Sequence, residues 1–293
     1  MNSAIKFSGS PAQLIRQRYS CRTYQKRPIT DQDLEILNTF AEKIQSGPMG
    51  NKIRSSILPA SEYNDRDLPK LGTYGFIRDP AAYIVGAILD QPGALEDFGY
   101  SIELLILKAT ELEIGSCWLG VSFTKNRFAN RFDLRPGEVI PAVVSLGYPS
   151  DEAAWMDRIC RIYAGADRRL PWEELFFSDH WQRSLNVEKA GSFLEPLQFV
   201  RLAPSASNKQ PWRLLREGEK WHFYLQRTPN YNSSFLGNLL GVADLQRIDL
   251  GIAMAHFALG LQEQGLRGEW LVDDPDLKSP GKPREYISTW QPV

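Results

Sequence analysis

The sequence predicts an α+β protein built from two related halves, and three observations lead there. Helical and strand patterns both recur along the chain, so neither an all-helical nor an all-strand class fits. Two long apolar helical stretches, Glu96 to Ile114 and Leu250 to Gln264, are bracketed by the same residues in one register. Asp249 lies 152 residues after Asp97, Gly251 152 after Gly99, and Trp270 152 after Trp118, which points to an internal duplication. Two unrelated buried helices with tryptophans at their ends are the competing explanation. At 293 residues, the chain also exceeds the usual size of one compact domain.

The first element is announced by Thr30 and Asp33 ahead of Leu34, Leu37, Ala41 and Ile44, the form of a capped amphipathic helix. It should run to about Gln45 and stop at Gly47-Pro48, after which a polar, turn-rich stretch continues through Pro69. Asp79-Pro80 then opens the apolar run Ala81–Leu89, a buried strand. Glu96 to Ile114 is apolar around most of its circumference, as a central buried helix must be. A short helix is expected near Thr124–Phe132, and the turn Leu134-Arg135-Pro136-Gly137 leads into a strand over Val139–Tyr148. Pro141 within it predicts an edge position or a bulge. Arg213–Leu215 and Trp221–Leu225 flank Glu217-Gly218-Glu219, a hairpin with glycine where the turn needs it. Leu250 to Gln264 repeats the character of the earlier central helix.

Composition narrows the function classes. Hydrophobic residues at 43% and charged residues at 24% suit a globular chain with a sizeable core. With 34 basic against 35 acidic side chains the net charge is −1, so no bulk positive field favours a nucleic-acid partner. The apolar stretches around Ala81–Leu89, Leu104–Leu107 and Leu250–Leu261 all fall short of the roughly 20 residues that cross a bilayer. The start of the chain has no basic segment followed by an apolar one, so a cytoplasmic protein without a membrane partner is expected. Cys21, Cys117 and Cys160 are distant from one another and are expected as reduced thiols. His180, His222 and His256 are isolated, so no metal site is expected, and His256 reads as a core histidine.

Four segments carry chemistry. Arg16-Gln17-Arg18-Tyr19-Ser20-Cys21-Arg22 puts Arg18, Ser20 and Arg22 on one side if the chain is extended. Guanidinium forks and a hydroxyl suit phosphate oxygens, although a solvated basic turn has the same composition. Pro204-Ser205-Ala206-Ser207-Asn208-Lys209-Gln210-Pro211-Trp212 places hydroxyl and amide groups between two prolines, fit either for a ligand with alternating donors and acceptors or for capping turns. Gly115-Ser116-Cys117-Trp118-Leu119-Gly120 carries small residues that let backbone approach a flat ligand. Arg168-Arg169-Leu170-Pro171 adds a cationic pair. Cys117 has no base near it in sequence and reads as a packing residue rather than a nucleophile.

In kind and order these segments resemble the FMN-dependent nitroreductase family. The resemblance rests on Arg18-x-Ser20-x-Arg22 followed by Pro28-Ile29, on Pro204-Ser205-x-Ser207-Asn208-x-Gln210-Pro211-Trp212, and on Gly115–Gly120 leading into Gly137-Glu138-Val139-Ile140-Pro141-Ala142. Leu146-Gly147-Tyr148-Pro149 and Arg169-Leu170-Pro171 look like its last strand and its phosphate-side arginine. The fold it implies is nitroreductase-like, with two homologous halves interlocked as a pseudo-dimer around long buried central helices. The implied cofactor-binding set is Arg18, Tyr19, Ser20, Arg22, Ser116, Cys117, Trp118, Leu119, Gly120, Arg168, Arg169, Pro204, Ser205, Ala206, Asn208 and Gln210. Ala206 stands where the family loop commonly has a second serine.

In ordinary members the arginine–serine segment and the Pro-Ser loop lie close together in one short chain, and each flavin site forms across a homodimer. Here Arg18 and Pro204 are far apart, and the place in the first half that matches the loop reads Gly47-Pro48-Met49-Gly50-Asn51-Lys52. The resemblance therefore implies a fused dimer with halves at 10–178 and 179–293, a monomer that has kept one FMN site and lost its twin. The activity it implies is ping-pong transfer of electrons from NAD(P)H through FMN to a small electrophilic acceptor such as a nitro compound or quinone, with no catalytic side chain required. A non-catalytic FMN-binding or sensing protein, or a flavin enzyme of dehalogenase-like chemistry, remains open on the same residues. Residues 50–75 and 228–245, with Tyr63, Tyr74, Phe76, Tyr231, Phe235 and Leu236, are the expected lids.

Overall fold

A computed structural model describes residues 6–62, 77–120, 128, 131–150, 168–229, 243–277 and 280–293. The chain divides into two units, one of Met1–Gln45, Lys52–Gln91 and Ser101–Tyr163, the other of Ser46–Asn51, Pro92–Tyr100 and Ala164–Val293. Among the described residues no helix is long and apolar enough to cross a membrane.

In the first unit, helix α1 (Pro11–Gln17) starts on a proline, whose missing N–H has no helical partner to lose, and buries Ala12, Leu14 and Ile15. Helix α2 (Asp31–Lys43) begins where the Thr30 hydroxyl accepts the Asp33 N–H at 3.2 Å, a cap that stabilises by about 1 kcal/mol. It ends at Lys43, close to the predicted Gln45. Strands β1 (Arg54–Pro59) and β2 (Ala82–Leu89) pair antiparallel, and β2 is buried along its length except at Leu89, as its continuous apolar run requires. Helix α3 (Ala94–Glu111) and strand β3 (Gly115–Leu119) follow, then β4 (Glu138–Val139) and β5 (Val143–Gly147). The sheet order is β1-β2-β5-β3, with β4 on β2 and every pairing antiparallel.

The single strand expected over Val139–Tyr148 is in fact two pieces, and β5 is interior, between β2 and β3. Proline lacks the N–H that a ladder needs, so pairing with β2 lapses between Val139 and Val143 and resumes one residue out of register, which meets the bulge expectation and not the edge one. The helix expected near Thr124–Phe132 lies mostly outside the described residues. Of it, Phe128 and Phe132 are buried against Tyr83 and Val143, with the Tyr83 and Phe128 rings edge-on at 5.2 Å.

The second unit contains α4 (Trp172–Leu175), β6 (Phe176–Ser178), β7 (His180–Ser184), α5 (Leu194–Leu202), β8 (Trp212–Glu217) and β9 (Lys220–Leu225). The predicted hairpin joins β8 to β9, with Glu217 opposite Lys220 and Gly218 at φ 59°. Helix α6 (Leu245–Glu263) is capped by the Asp244 side chain, which accepts the Gln246 N–H at 3.2 Å. Its Phe257 ring sits 5.3 Å from Phe223, 5.9 Å from Trp221 and 6.0 Å from Trp290, an aromatic core around the helix. Strands β10 (Gly268–Leu271) and β11 (Glu285–Pro292) complete a sheet of order β10-β11-β9-β8-β6-β7, parallel at β6–β8 and antiparallel elsewhere.

The repeat read in the sequence is carried by the topology. The series β8-β9-β11-β10 repeats β1-β2-β5-β3 strand for strand, and in each the last-named strand directly follows the long helix. Helix α6 ends at Glu263, 152 residues after the end of α3 at Glu111. Trp118 faces Val144 across β3–β5, and Trp270 faces Trp290 across β10–β11.

Within the second unit, the segment Pro92–Tyr100 meets α6 through a reciprocal contact. A Cβ on Gly99 would overlap the Ile248 carbonyl, and a Cβ on Gly251 would overlap the Glu96 carbonyl. Since Ile248 lies 152 residues after Glu96, just as Gly251 follows Gly99, the two contacts are copies of each other, the arrangement of a twofold interface. Gly251→Ala should therefore lower the unfolding free energy in urea by about 1–3 kcal/mol. A gain of about 1 kcal/mol, as helix propensity alone would give, would contradict this crossing.

Candidate functional site

The first set of donors is built where the chain leaves α1. Arg18 closes that helix, its N–H bonded to the Leu14 carbonyl, and then turns into extended backbone. Ser20 pairs in parallel with Ser116 of β3, and the Cys21 N–H donates to the Ser116 carbonyl at 2.8 Å. Two motifs read separately in the sequence are thus stitched together. Arg18, Ser20 and Arg22 are half-buried, whereas Arg16 and Tyr19 are exposed and Cys21 is buried. Arg22 folds back to donate to the Ser20 carbonyl at 3.2 Å. Ser116, Cys117 and Leu119 are buried; Leu119 packs into the core with Tyr83 and Val143, and the Cys117 thiol lies against its own chain at the Trp118 carbonyl.

Beneath these residues lies a group that sequence reading did not single out. Glu103, on α3 and fully buried, accepts the Trp118 indole N–H at 2.9 Å and stands 3.8 Å from the Arg18 Nε. Its position inside an apolar helical pattern hid it; a charged residue at a buried helical position was the available signal.

The second set of donors belongs to the other unit. Arg169 donates to the Asn208 side-chain carbonyl at 3.3 Å and to the Leu202 carbonyl at 3.4 Å. The Asn208 amide donates to the Arg168 carbonyl at 2.8 Å, and Gln210 accepts the Leu170 N–H at 2.9 Å while donating to the Arg168 carbonyl at 3.3 Å. Gln210 is buried, and its amide knits the Pro204–Trp212 loop to the Arg168–Leu170 strand of chain. Ser205 accepts the Gln210 N–H at 2.9 Å. Ser207, Asn208 and Gln210 have φ of 51°, 53° and 49°, conformations that non-glycine residues adopt only when their surroundings hold them there. Arg168 is exposed, and Pro204, Ser205, Ala206 and Asn208 are half-buried.

One surrounding group is Asp249, whose Oδ1 accepts the Ala206 N–H at 2.9 Å. Its repeat partner Asp97 does the same for the matching loop, accepting the Met49 N–H and the Asn51 N–H, each at 2.8 Å. In the Pro204–Trp212 loop the Asn208 N–H turns instead to the Ser205 carbonyl at 2.9 Å, and Asp249 Oδ2 has no partner among the described residues. Burial pushes both carboxyls above the usual aspartate range, Asp249 well above it, while the backbone N–H groups they accept pull the other way. Burial, and after it the nearby Asp97 charge, push Tyr100 up to about 12.

His256 is fully buried with Nδ1 at 2.9 Å from the Phe199 carbonyl, the core histidine that was expected. Cys21 and Cys117 are free thiols, while Cys160 lies outside the described residues. So do Tyr63, Tyr74, Phe76, Tyr231, Phe235 and Leu236 of the two expected lids.

Comparison with known proteins agrees with this architecture. Residues 12–261 match the family model described as "Putative TM nitroreductase". The chain belongs to that family, and its fold is nitroreductase-like, a mixed α+β arrangement. A "putative nitroreductase" from Thermotoga maritima shares this fold, with a TM-score of 0.60 over 99% of this chain and 98% of its own at 17% identity. A nitroreductase with bound FMN from Desulfitobacterium hafniense is 19% identical, covering 49% of this chain and 91% of its own at a TM-score of 0.40. Another FMN complex, from Desulfovibrio desulfuricans, is 20% identical over 50% of this chain and 89% of its own at 0.39. No curated protein matches the chain.

The buried aspartates predict how stability varies with pH. With its pKa raised in the folded state, Asp249 binds its proton more tightly there than in the unfolded chain. Its contribution is complete below the unfolded value of about 4 and declines as pH rises toward the folded one. Asp249→Asn should flatten part of the fall in unfolding free energy as pH rises above about 4, measured in urea. An unchanged slope would contradict an upward shift of the Asp249 carboxyl in the folded state.

Proposed function

We propose that this chain is an FMN-dependent oxidoreductase that takes electrons from NAD(P)H and passes them to a small electrophilic acceptor such as a nitro compound or quinone. The observation that carries this reading is the joining of Arg18, Ser20 and Arg22 to Ser116–Trp118 by the Ser20–Ser116 pairing. The donor chemistry fits the group: half-buried guanidinium forks and a hydroxyl match a phosphate and a polyol chain, and a strand of small residues beside them suits a flat ring. Family membership supports the same cofactor, as do the relatives described with bound FMN.

In this reading Arg18, Ser20, Arg22 and Arg169 hold the phosphate and ribityl chain. Ser205 and Asn208 contribute hydroxyl and amide contacts, and backbone N–H groups of Ser116–Leu119 address the edge of the ring system, where fixed dipoles stabilise negative charge. Bound there, FMN supplies the two-electron chemistry, so no nucleophile or metal need come from the chain. Gln210 acts one step back, holding the Arg168–Leu170 backbone against the loop. The repeat, with its matching strand order, supports a fused pair of homologous halves that functions as a single chain.

The absorbance of the purified protein under anaerobic conditions tests this. A flavin spectrum that bleaches on adding NADH or NADPH is expected, and a colourless protein that takes up no FMN would overturn the reading. A flavin spectrum inert to both nicotinamides would remove the reductase activity and leave a flavin-binding protein. Arg18→Ala and Arg22→Ala should each weaken FMN binding by roughly 10- to 150-fold, the equivalent of one charge-assisted bond, whereas Arg16→Ala, at an exposed position, should leave it unchanged. Equal affinity in all three variants would place the phosphate elsewhere.

A further inference from the structure

We propose that Glu103, anchored by the Trp118 indole, is a positioning residue for the flavin site, holding Arg18 in the arrangement that receives the cofactor; this rests on the function proposed above. The carboxylate is fully buried, which costs free energy unless charge and hydrogen-bonding partners offset it. Those partners come from the two motifs joined at Ser20 and Ser116. The Trp118 indole donates to Oε2 at 2.9 Å, and Oε1 faces the Arg18 Nε at 3.8 Å, with the Arg18 side chain only 9% exposed. The ion pair draws the Nε edge of the guanidinium toward Oε1 and so biases the direction of its fork.

The repeat supplies an internal control for whether the fold itself needs an acid here. The residue 152 positions after Glu103 is Ala255, fully buried on α6, and the residue matching Trp118 is Trp270. Trp270 packs its ring 5.1 Å from Phe223 and 6.3 Å from Phe257, in an apolar setting without a carboxylate at the matching helical place. A long buried helix of this fold therefore accepts alanine at that position. The acid stands in the copy whose neighbouring segment carries Arg-x-Ser-x-Arg, and alanine in the copy without an equally clear one. Asp97 and Asp249 show the opposite pattern: both copies keep the aspartate, as a purely architectural group should be kept. The asymmetry at Glu103 thus follows the flavin-binding residues and not the fold.

The test is a double-mutant cycle on FMN affinity, read by flavin fluorescence on the full chain, with urea unfolding of each apo variant alongside. Glu103→Ala, which installs the residue of the other copy, should raise the FMN Kd by about tenfold or more on the wild-type background. On an Arg18→Ala background it should change the Kd by less than about threefold, because the group through which it acts is gone. Glu103→Gln, which keeps an acceptor for Trp118 without the charge, serves if the alanine variant does not fold, and should show the same loss of effect on the Arg18→Ala background. An unchanged Kd in Glu103→Ala, or equal effects on both backgrounds, would overturn the positioning role. A wild-type chain that binds no FMN would instead overturn the function on which the role rests.

Discussion

Two helices approach only as closely as the groups between them permit, and where Pro92–Tyr100 meets α6 the permission comes from Gly99 and Gly251. Each glycine faces a backbone carbonyl of the opposite helix, Ile248 in one case and Glu96 in the other, leaving no room for a side chain at either place. The contact is reciprocal, so one geometric requirement is met twice by the same residue type in the same register. Much of the second unit depends on it. Asp97 and Asp249 lie two residues before these glycines, and each uses its carboxyl to hold backbone N–H groups of a loop. The helix crossing thereby fixes two acceptors, and the acceptors fix two loops.

The two copies share this framework and differ in what they hang on it. In one, Asp97 takes two N–H groups of the loop beginning Gly47-Pro48, a loop poor in polar side chains. In the other, Asp249 takes one, and the chain tightens through Ser207, Asn208 and Gln210 at positive φ. That strain is balanced by the amide bonds of Asn208 and Gln210 to Arg168 and Leu170, which bring Arg169 to the loop. Charge is distributed with similar asymmetry. Glu103 stands under Arg18 and Trp118, while Ala255 occupies the matching position of α6. The shared residues thus maintain the fold, and the unshared ones include those assigned to the cofactor in the proposed function.

Local features were readable without coordinates because their physics is local. The Thr30 cap, the β8–β9 turn at Gly218, the apolar run of β2 and the two long helices all follow from residues adjacent in sequence. The duplication was legible because Asp, Gly and Trp recur at one spacing, though why they recur was not: the glycines act on each other's helices, and no pattern within one helix reveals that. Pro141 was read as an edge position or a bulge; β5 is interior, and the one-residue shift of register against β2 around Pro141 is that of a bulge, a choice decided by long-range pairing. Gln210 suited either a ligand or a turn, and the bonds its amide makes to Leu170 and Arg168 rest on distances between segments that no local pattern gives. The partners of Glu103 were hidden for the same reason, lying on two other segments, although an acid within an apolar helix was itself a signal.

The central claim is that the chain keeps two copies of one framework but only one complete set of flavin-binding residues. Native mass spectrometry of the FMN-saturated protein tests it directly by giving the number of flavins per chain. One FMN on a single chain is the predicted result; two FMN per chain, or saturation reached only when two chains associate, would contradict it.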